Sequence, residues 1–178
     1  MKRKAARTRH AHARPAPRPV GLAILTVSDT RRGADDLSGD ALGRLFADAG
    51  HRVAKHAWSA DSFTAIRRAT RALLGRRDVD VVVVTGGTGI APRDVTPEAL
   101  APLLDKALPG FGERFRSLSA GEVGGAAWLS RAVAGVARGR LVVALPGSIR
   151  AVELGAKELL IPELGHAVRL LGRFREGA

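Results

Sequence analysis

The residues best suited to chemistry sit in one short stretch. Thr85-Gly86-Gly87-Thr88-Gly89 is followed, past Arg93, by the carboxylate of Asp94. The three glycines permit positive φ and let backbone amides come close to an anion. Thr85 and Thr88 add hydroxyl donors. The loop is neither a Walker A sequence nor the G-x-G-x-x-G dinucleotide fingerprint, so residue chemistry leaves two readings open: a phosphate cradle, or a tight structural turn. A carboxylate just beyond an anion loop is badly placed for phosphate unless a cation bridges them. Mg²⁺ held by one or two carboxylates plus phosphate oxygens does this. The competing role for Asp94 is to cap the next helix or to pair with Arg93.

Other polar residues could share that task. Asp61 opens a helix and is a second candidate acid and Mg²⁺ ligand, with an N-cap role for "SFTAIRR" as the structural alternative. Ser28 and Asp29, then Ser38 and Gly39, offer side chains and helix-start amides for another anion. Pro146-Gly147-Ser148 repeats the device. The histidines form no cluster along the chain, so neither a zinc site nor a Ser-His-Asp triad is supported. Trp58 and Trp128 read as packing residues.

The elements that must position these loops alternate in type. Residues 20–27 and 79–84 are short apolar runs suited to buried strands, and "HRVAKHAW" alternates as a half-exposed strand would. Helices are expected over "GDALGRLFADAG", capped by Ser38, and over "DSFTAIRRATRALLG", with Phe63, Ile66, Ala69, Leu73 and Leu74 inward. Thr96 and Pro97 read as the cap and first residue of "PEALAPLLD". A further helix is expected over "FGERFRSLS". Two strands joined by a turn at Arg138-Gly139 follow. The last helices are "IRAVELGAKELL", capped by Ser148, and "ELGHAVRLLGRF". Continuously apolar strands alternating with amphipathic helices imply an α/β, three-layer αβα fold with a doubly wound, mostly parallel sheet. In such sheets ligands sit beyond the carboxyl ends of the strands. The loops 28–39, 85–94 and 146–148 all fall there.

Composition sets the outer bounds. A chain of 178 residues with 46% hydrophobic content supports one globular domain. The absence of cysteine excludes disulfides, thiolate metal sites and Cys nucleophiles. The formal charge of +12 is concentrated: residues 1–19 hold seven Lys and Arg and no acid, while the other 22 basic and all 17 acidic residues give the remainder +5. That start is Pro-punctuated and poor in large apolar groups, so it reads as a disordered basic tail ahead of a single domain over 20–178. It lacks the apolar core of a secretory signal, and no run approaches the roughly 20 apolar residues of a membrane span. A soluble, cytoplasmic protein without a membrane partner is expected, with nucleic-acid binding through the basic tail as a remote alternative.

With these residues in place, the chain resembles the MoaB/MogA family of molybdenum cofactor biosynthesis, whose fold is shared with the G domain of gephyrin and plant Cnx-type proteins. The resemblance spans roughly Leu22 to Leu171. It rests on the ordered series "TVSDTRRGADDLSG", "VVVVTGGTGIAPRDVTPEAL", "LPGFGERFR", "LSRAVAG" and "VVALPGS". It implies a molybdopterin-binding fold, molybdopterin as substrate, and adenylylation of its terminal phosphate by Mg-ATP with release of pyrophosphate. By that resemblance Asp94 and Asp61 are the catalytic acids and Mg²⁺ ligands. Gly86–Gly89, Ser130, Arg131 and Pro146–Ser148 match segments that bind the pterin, its phosphate or the nucleotide. A homo-oligomer, trimer or hexamer, and hand-over to the molybdate-inserting protein of the pathway are likewise implied. The first loop is closer to the MoaB branch, some of whose members lack adenylylation, so a non-catalytic molybdopterin-binding protein is the alternative.

Overall fold

Alternation along each strand decides the architecture. In β1 (Gly21–Val27), β3 (Val81–Thr85) and β6 (Arg140–Leu145) nearly every residue is buried, so both faces of the sheet must be covered. They are. One set, including Leu22, Ile24, Val81, Val83, Val143 and Leu145, packs on Leu42 and Phe46 of α1 (Leu37–Asp48), Phe115 of α4 (Pro109–Val123), Val152 of α5 (Ile149–Leu154) and Val168 of α6 (Leu164–Leu170). The alternate set, Ala23, Leu25, Val27, Val82, Val84 and Ala144, packs on Ile66, Leu73 and Leu74 of α2 (Phe63–Leu74) and on Ala99 and Leu100 of α3 (Thr96–Leu100). The computed structural model describes residues 18–173. The expected basic tail lies outside the described residues except for Arg18 and Pro19.

The sheet runs β2-β1-β3-β6-β5-β4, with β2 at Arg52–Ser59, β4 at Lys106–Ala107 and β5 at Val133–Ala137. The first four strands in that order are parallel, and β5 and β4 add antiparallel to the edge. The chain therefore forms the expected three-layer, mostly parallel α/β fold. After β1 it crosses towards β2, and after β3 it crosses the other way towards β6. The carboxyl ends of β1 and β3 are thus the point where the winding reverses, the place where such sheets open a crevice. No helix among the described residues is long and apolar enough to cross a membrane.

Several local expectations are corrected. Helix α1 is capped by Asp36, whose side chain accepts from the Gly39 amide, and Ser38 lies inside the helix. Helix α2 is capped by Ser62, which accepts from the Ala65 amide, leaving Asp61 outside the cap. Thr96 does not cap α3: it is the helix's first residue, and its hydroxyl donates to the Gly86 carbonyl at 2.8 Å. A buried carbonyl needs a donor more than a five-residue helix needs a cap. Helix α5 gives way to a π-type turn at Gly155–Leu160. Phe63 is half out of the core at the helix start, and Trp128, in the 3-10 segment Gly124–Leu129, is 75% exposed and packs little.

Candidate active site

Four segments leave the carboxyl ends of the strands and close around a polar cavity of about 390 Å³. Ser28, Asp29 and Ser38 come from the segment after β1, Asp61 from the turn after β2, Thr85 to Gly89 and Asp94 from the segment after β3, and Pro146 to Ser148 from the turn after β6. Thr30, in the same "SDT" stretch as Ser28 and Asp29, lines it as well, as do Arg31 and Arg93, which the sequence did not single out as site residues. The signal available for the two arginines was a cation beside each anion loop, in "DTRR" and "PRD". Of the residues expected at the site, Gly39 and Arg131 do not line this cavity, and Ser130 lines the cavity adjoining it. The Gly39 amide is held by Asp36, and the Arg131 guanidinium bonds to the outside of the Gly-rich loop.

The Gly-rich loop takes its shape from its first two glycines. Gly86 has φ +103° and Gly87 φ +64°, values that a side chain would strain. The Gly86 amide donates to Leu145, tying the loop to β6, and the Gly87 carbonyl accepts from Thr96. The amides of Gly87, Thr88 and Gly89 have no acceptor among the described residues, so donors are left at the cavity for an anion. The Thr85 hydroxyl is engaged with the Pro146 carbonyl at 3.3 Å, and so joins two of the loops instead of facing a ligand alone.

Acids face these donors. One oxygen of Asp61, Oδ1, is buried without a hydrogen-bond partner. Burial pushes the Asp61 carboxyl above its ordinary range, and the nearby charges of Asp94 and Asp29 push it further, against the pull of Arg93. The Asp61 amide donates to Asp29 at 3.0 Å, and the Ala91 amide donates to Oδ2 of Asp94 at 2.9 Å. An unsatisfied oxygen on Asp61, repelled by the neighbouring carboxylates and close to amides without acceptors, suits a divalent cation shared with phosphate oxygens. Among the described residues no group of three or more His, Cys, Asp or Glu could hold an ion by itself. An ion bound here would need ligand oxygens in addition to Asp61 and Asp94.

The first loop is held by a buried carboxylate. Asp36 is fully buried and accepts from the Thr26 hydroxyl at 2.5 Å, the Gly39 amide at 2.9 Å and the Trp58 indole at 3.0 Å, with His56 Nε2 at 2.9 Å. Burial opposes its ionisation, but the bonds from Thr26 and Gly39, the charge of His56 and the bond from Trp58 outweigh it and hold the carboxyl below its usual range. Trp58 stacks on His56, so the indole has a structural task. Against the polar cavity lies a second of about 660 Å³, sharing Arg31, Ser38 and Pro146–Ser148 with it and walled by Leu37, Val123, Ala126, Ile149 and Leu154. One opening is thus polar and acidic, and its neighbour is apolar, a combination suited to a ligand with a flat ring at one end and phosphate at the other.

Residues 23–166 match the family described as a probable molybdopterin binding domain. The molybdenum cofactor biosynthesis protein B of Halalkalibacterium halodurans is 45% identical over 159 residues, covering 89% of this chain and 94% of that protein. A crystal structure of a molybdenum cofactor biosynthesis protein B superposes with a TM-score of 0.86 at 45% identity, covering 89% of this chain and 99% of the other. A MogA structure superposes with a TM-score of 0.74 at 31% identity, covering 85% and 99%. With the family match over residues 23–166 and this fold in common, the chain belongs to the MoaB/MogA family of molybdenum cofactor biosynthesis proteins and stands nearer its MoaB members.

Proposed function

We propose that the protein works in molybdenum cofactor biosynthesis by adenylylating molybdopterin with Mg-ATP. The reading is carried by one observation: Asp61, whose Oδ1 is buried without a partner, lines the same cavity as Asp94 and the Gly87 to Gly89 loop, whose amides have no acceptor among the described residues. In the reaction an oxygen of the terminal molybdopterin phosphate attacks the α-phosphorus of ATP. A new P–O bond forms, the bond to the β-phosphate bridge breaks, and pyrophosphate leaves. Such a transfer asks little covalent help from protein. It needs oxygens held in line and charge neutralised. Asp61 and Asp94 would hold Mg²⁺, which supplies that neutralisation. The amides of Gly87, Thr88 and Gly89 hold phosphate oxygens. Arg31 and Arg93 add positive charge at the cavity wall, and the apolar neighbour accommodates a heteroaromatic ring.

The test mixes the purified chain with molybdopterin and Mg-ATP and follows pyrophosphate release, beside Asp94→Asn. Release that requires both substrates and falls at least a hundredfold in the variant is expected, the scale of losing one charge-stabilising group. Equal turnover in Asp94→Asn would remove the role given to that carboxylate. Tight molybdopterin binding with no pyrophosphate would replace the enzyme by a binding protein of the same pathway.

A further inference from the structure

Arg131 bonds to both ends of the Asp94 loop, yet it does not line the polar cavity. It precedes β5, and its own amide donates to the Thr88 carbonyl at 3.0 Å. Its guanidinium then spreads over the loop's outer side. Nε donates to the Gly89 carbonyl at 2.8 Å, one terminal nitrogen donates to the Asp94 carbonyl at 2.5 Å, and the other meets the Glu98 carboxylate in α3. The side chain borders an outer cavity with Pro97 and Trp128.

We infer that Arg131 is a positioning residue: it fixes the backbone from which Asp94 projects, and does not itself touch substrate. The inference deepens the adenylylation reading and rests on it for the effect on turnover. Between Gly89 and Asp94 the chain has neither helix nor strand. Within that stretch only the Asp94 amide on the Ala91 carbonyl and the Ala91 amide on the Asp94 carboxylate close it. Those bonds fix Asp94 relative to Ala91, and Thr96, two residues on, is tied to the Gly86 and Gly87 carbonyls at the end of β3. Arg131 adds a direct hold on the Gly89 and Asp94 carbonyls themselves, from a chain that is paired into the sheet through β5 and β6. A planar fork can bridge two carbonyls and a carboxylate at once, whereas a lysine ammonium is a single point on a flexible stem. The pair with Glu98 is partly exposed, so the bonds to the carbonyls matter more than the ion pair.

The experiment uses the full chain with Arg131→Lys, Arg131→Gln and Glu98→Gln. It measures kcat and KM from pyrophosphate release, molybdopterin affinity from pterin fluorescence, and amide hydrogen exchange over residues 87–94. Arg131→Lys is expected to lower kcat roughly tenfold to a hundredfold, as small misplacements of reacting groups do, with KM and affinity within about twofold. Exchange over the loop is expected to rise. Arg131→Gln should show the same split, and Glu98→Gln should stay close to wild type. A tenfold rise in KM or loss of affinity at unchanged kcat would make Arg131 a ligand contact and overturn the inference, as would wild-type kcat in both Arg131 variants. If the wild-type chain releases no pyrophosphate, the adenylylation reading fails separately. Loop exchange then decides: faster exchange in Arg131→Lys upholds the positioning role, and unchanged exchange overturns it.

Discussion

At the amino ends of the parallel strands, Asp78 receives the Arg76 fork at 3.0 and 2.8 Å, while Asp80 accepts the Gly21 amide and Arg173, both at 3.0 Å. At the carboxyl ends, Asp61 has a buried oxygen with no partner, and Asp94 and Asp29 crowd the same cavity. The consequences run in opposite directions. Hydrogen bonds from Arg76 hold the Asp78 carboxyl below its ordinary range, whereas burial and like charge push that of Asp61 above it. One rim spends its aspartates on closing the fold. The other crowds its aspartates together and leaves Oδ1 of Asp61 unsatisfied, a cost to stability that a bound cation and phosphate would remove.

The largest effect should come from the unsatisfied rim. Asp61→Asn removes charge from a cluster that repels itself, so thermal stability should hold or rise slightly, while pyrophosphate release falls at least a hundredfold. Thermal unfolding and turnover, measured on the same preparation, check both halves. A fall of several degrees in Tm would break the comparison by showing that Asp61 is also structural.

Next in size is the satisfied rim. Asp80→Ala leaves the Gly21 amide without its acceptor and Arg173 without its carboxylate, in a place where both side chains are largely sheltered. Losing charged hydrogen bonds of this kind costs about 2 kcal/mol, or roughly 4–8 °C in a domain of this size. Turnover per folded molecule should not change. A selective loss of kcat would mean that the two rims are coupled through the strands.

The division between rims was partly legible in the sequence. The paired faces of the sheet could be read because continuous Val and Leu runs leave no alternative to burial on both sides. The rim loops could be read because glycines and small hydroxyl residues interrupt those runs after each strand. What could not be read depends on partners remote in sequence. Asp36 beside Asp35 gives no local sign that it, and not Ser38, caps α1 while also anchoring Thr26, His56 and Trp58. Thr96 carries a cap-like signature before Pro97, and only the approach of the Gly86 carbonyl reassigns its hydroxyl. Arg131 looks like any cation ahead of a strand until Gly89, Asp94 and Glu98 are brought to it. Strand β4 is two residues long and has no periodicity to detect. The apolar cavity has contributions from α1, α4 and α5, which no single stretch reveals.

The smallest effect belongs to His51, which sits with the satisfied groups of the amino rim. It is buried, and its Nδ1 accepts the Val20 amide at 3.3 Å. That bond requires an unprotonated Nδ1, and burial pushes the imidazole below its ordinary value of 6.5. In the unfolded chain the ring binds a proton near 6.5, whereas in the folded protein it resists until lower pH. Between those two values the unfolded state holds more protons, so stability rises with pH and is lost as pH falls below about 6.5. The slope from this residue is at most about 1.4 kcal/mol per pH unit, and it flattens once pH drops below the folded value. His51→Asn offers an oxygen to the Val20 amide without a titrating ring. Its Tm should therefore decline less steeply than that of the wild type between pH 7 and pH 5, with the two curves diverging by a few degrees at the acid end. Parallel curves would show that the folded protein accommodates the imidazolium, and that the amino rim tolerates an unbalanced charge after all.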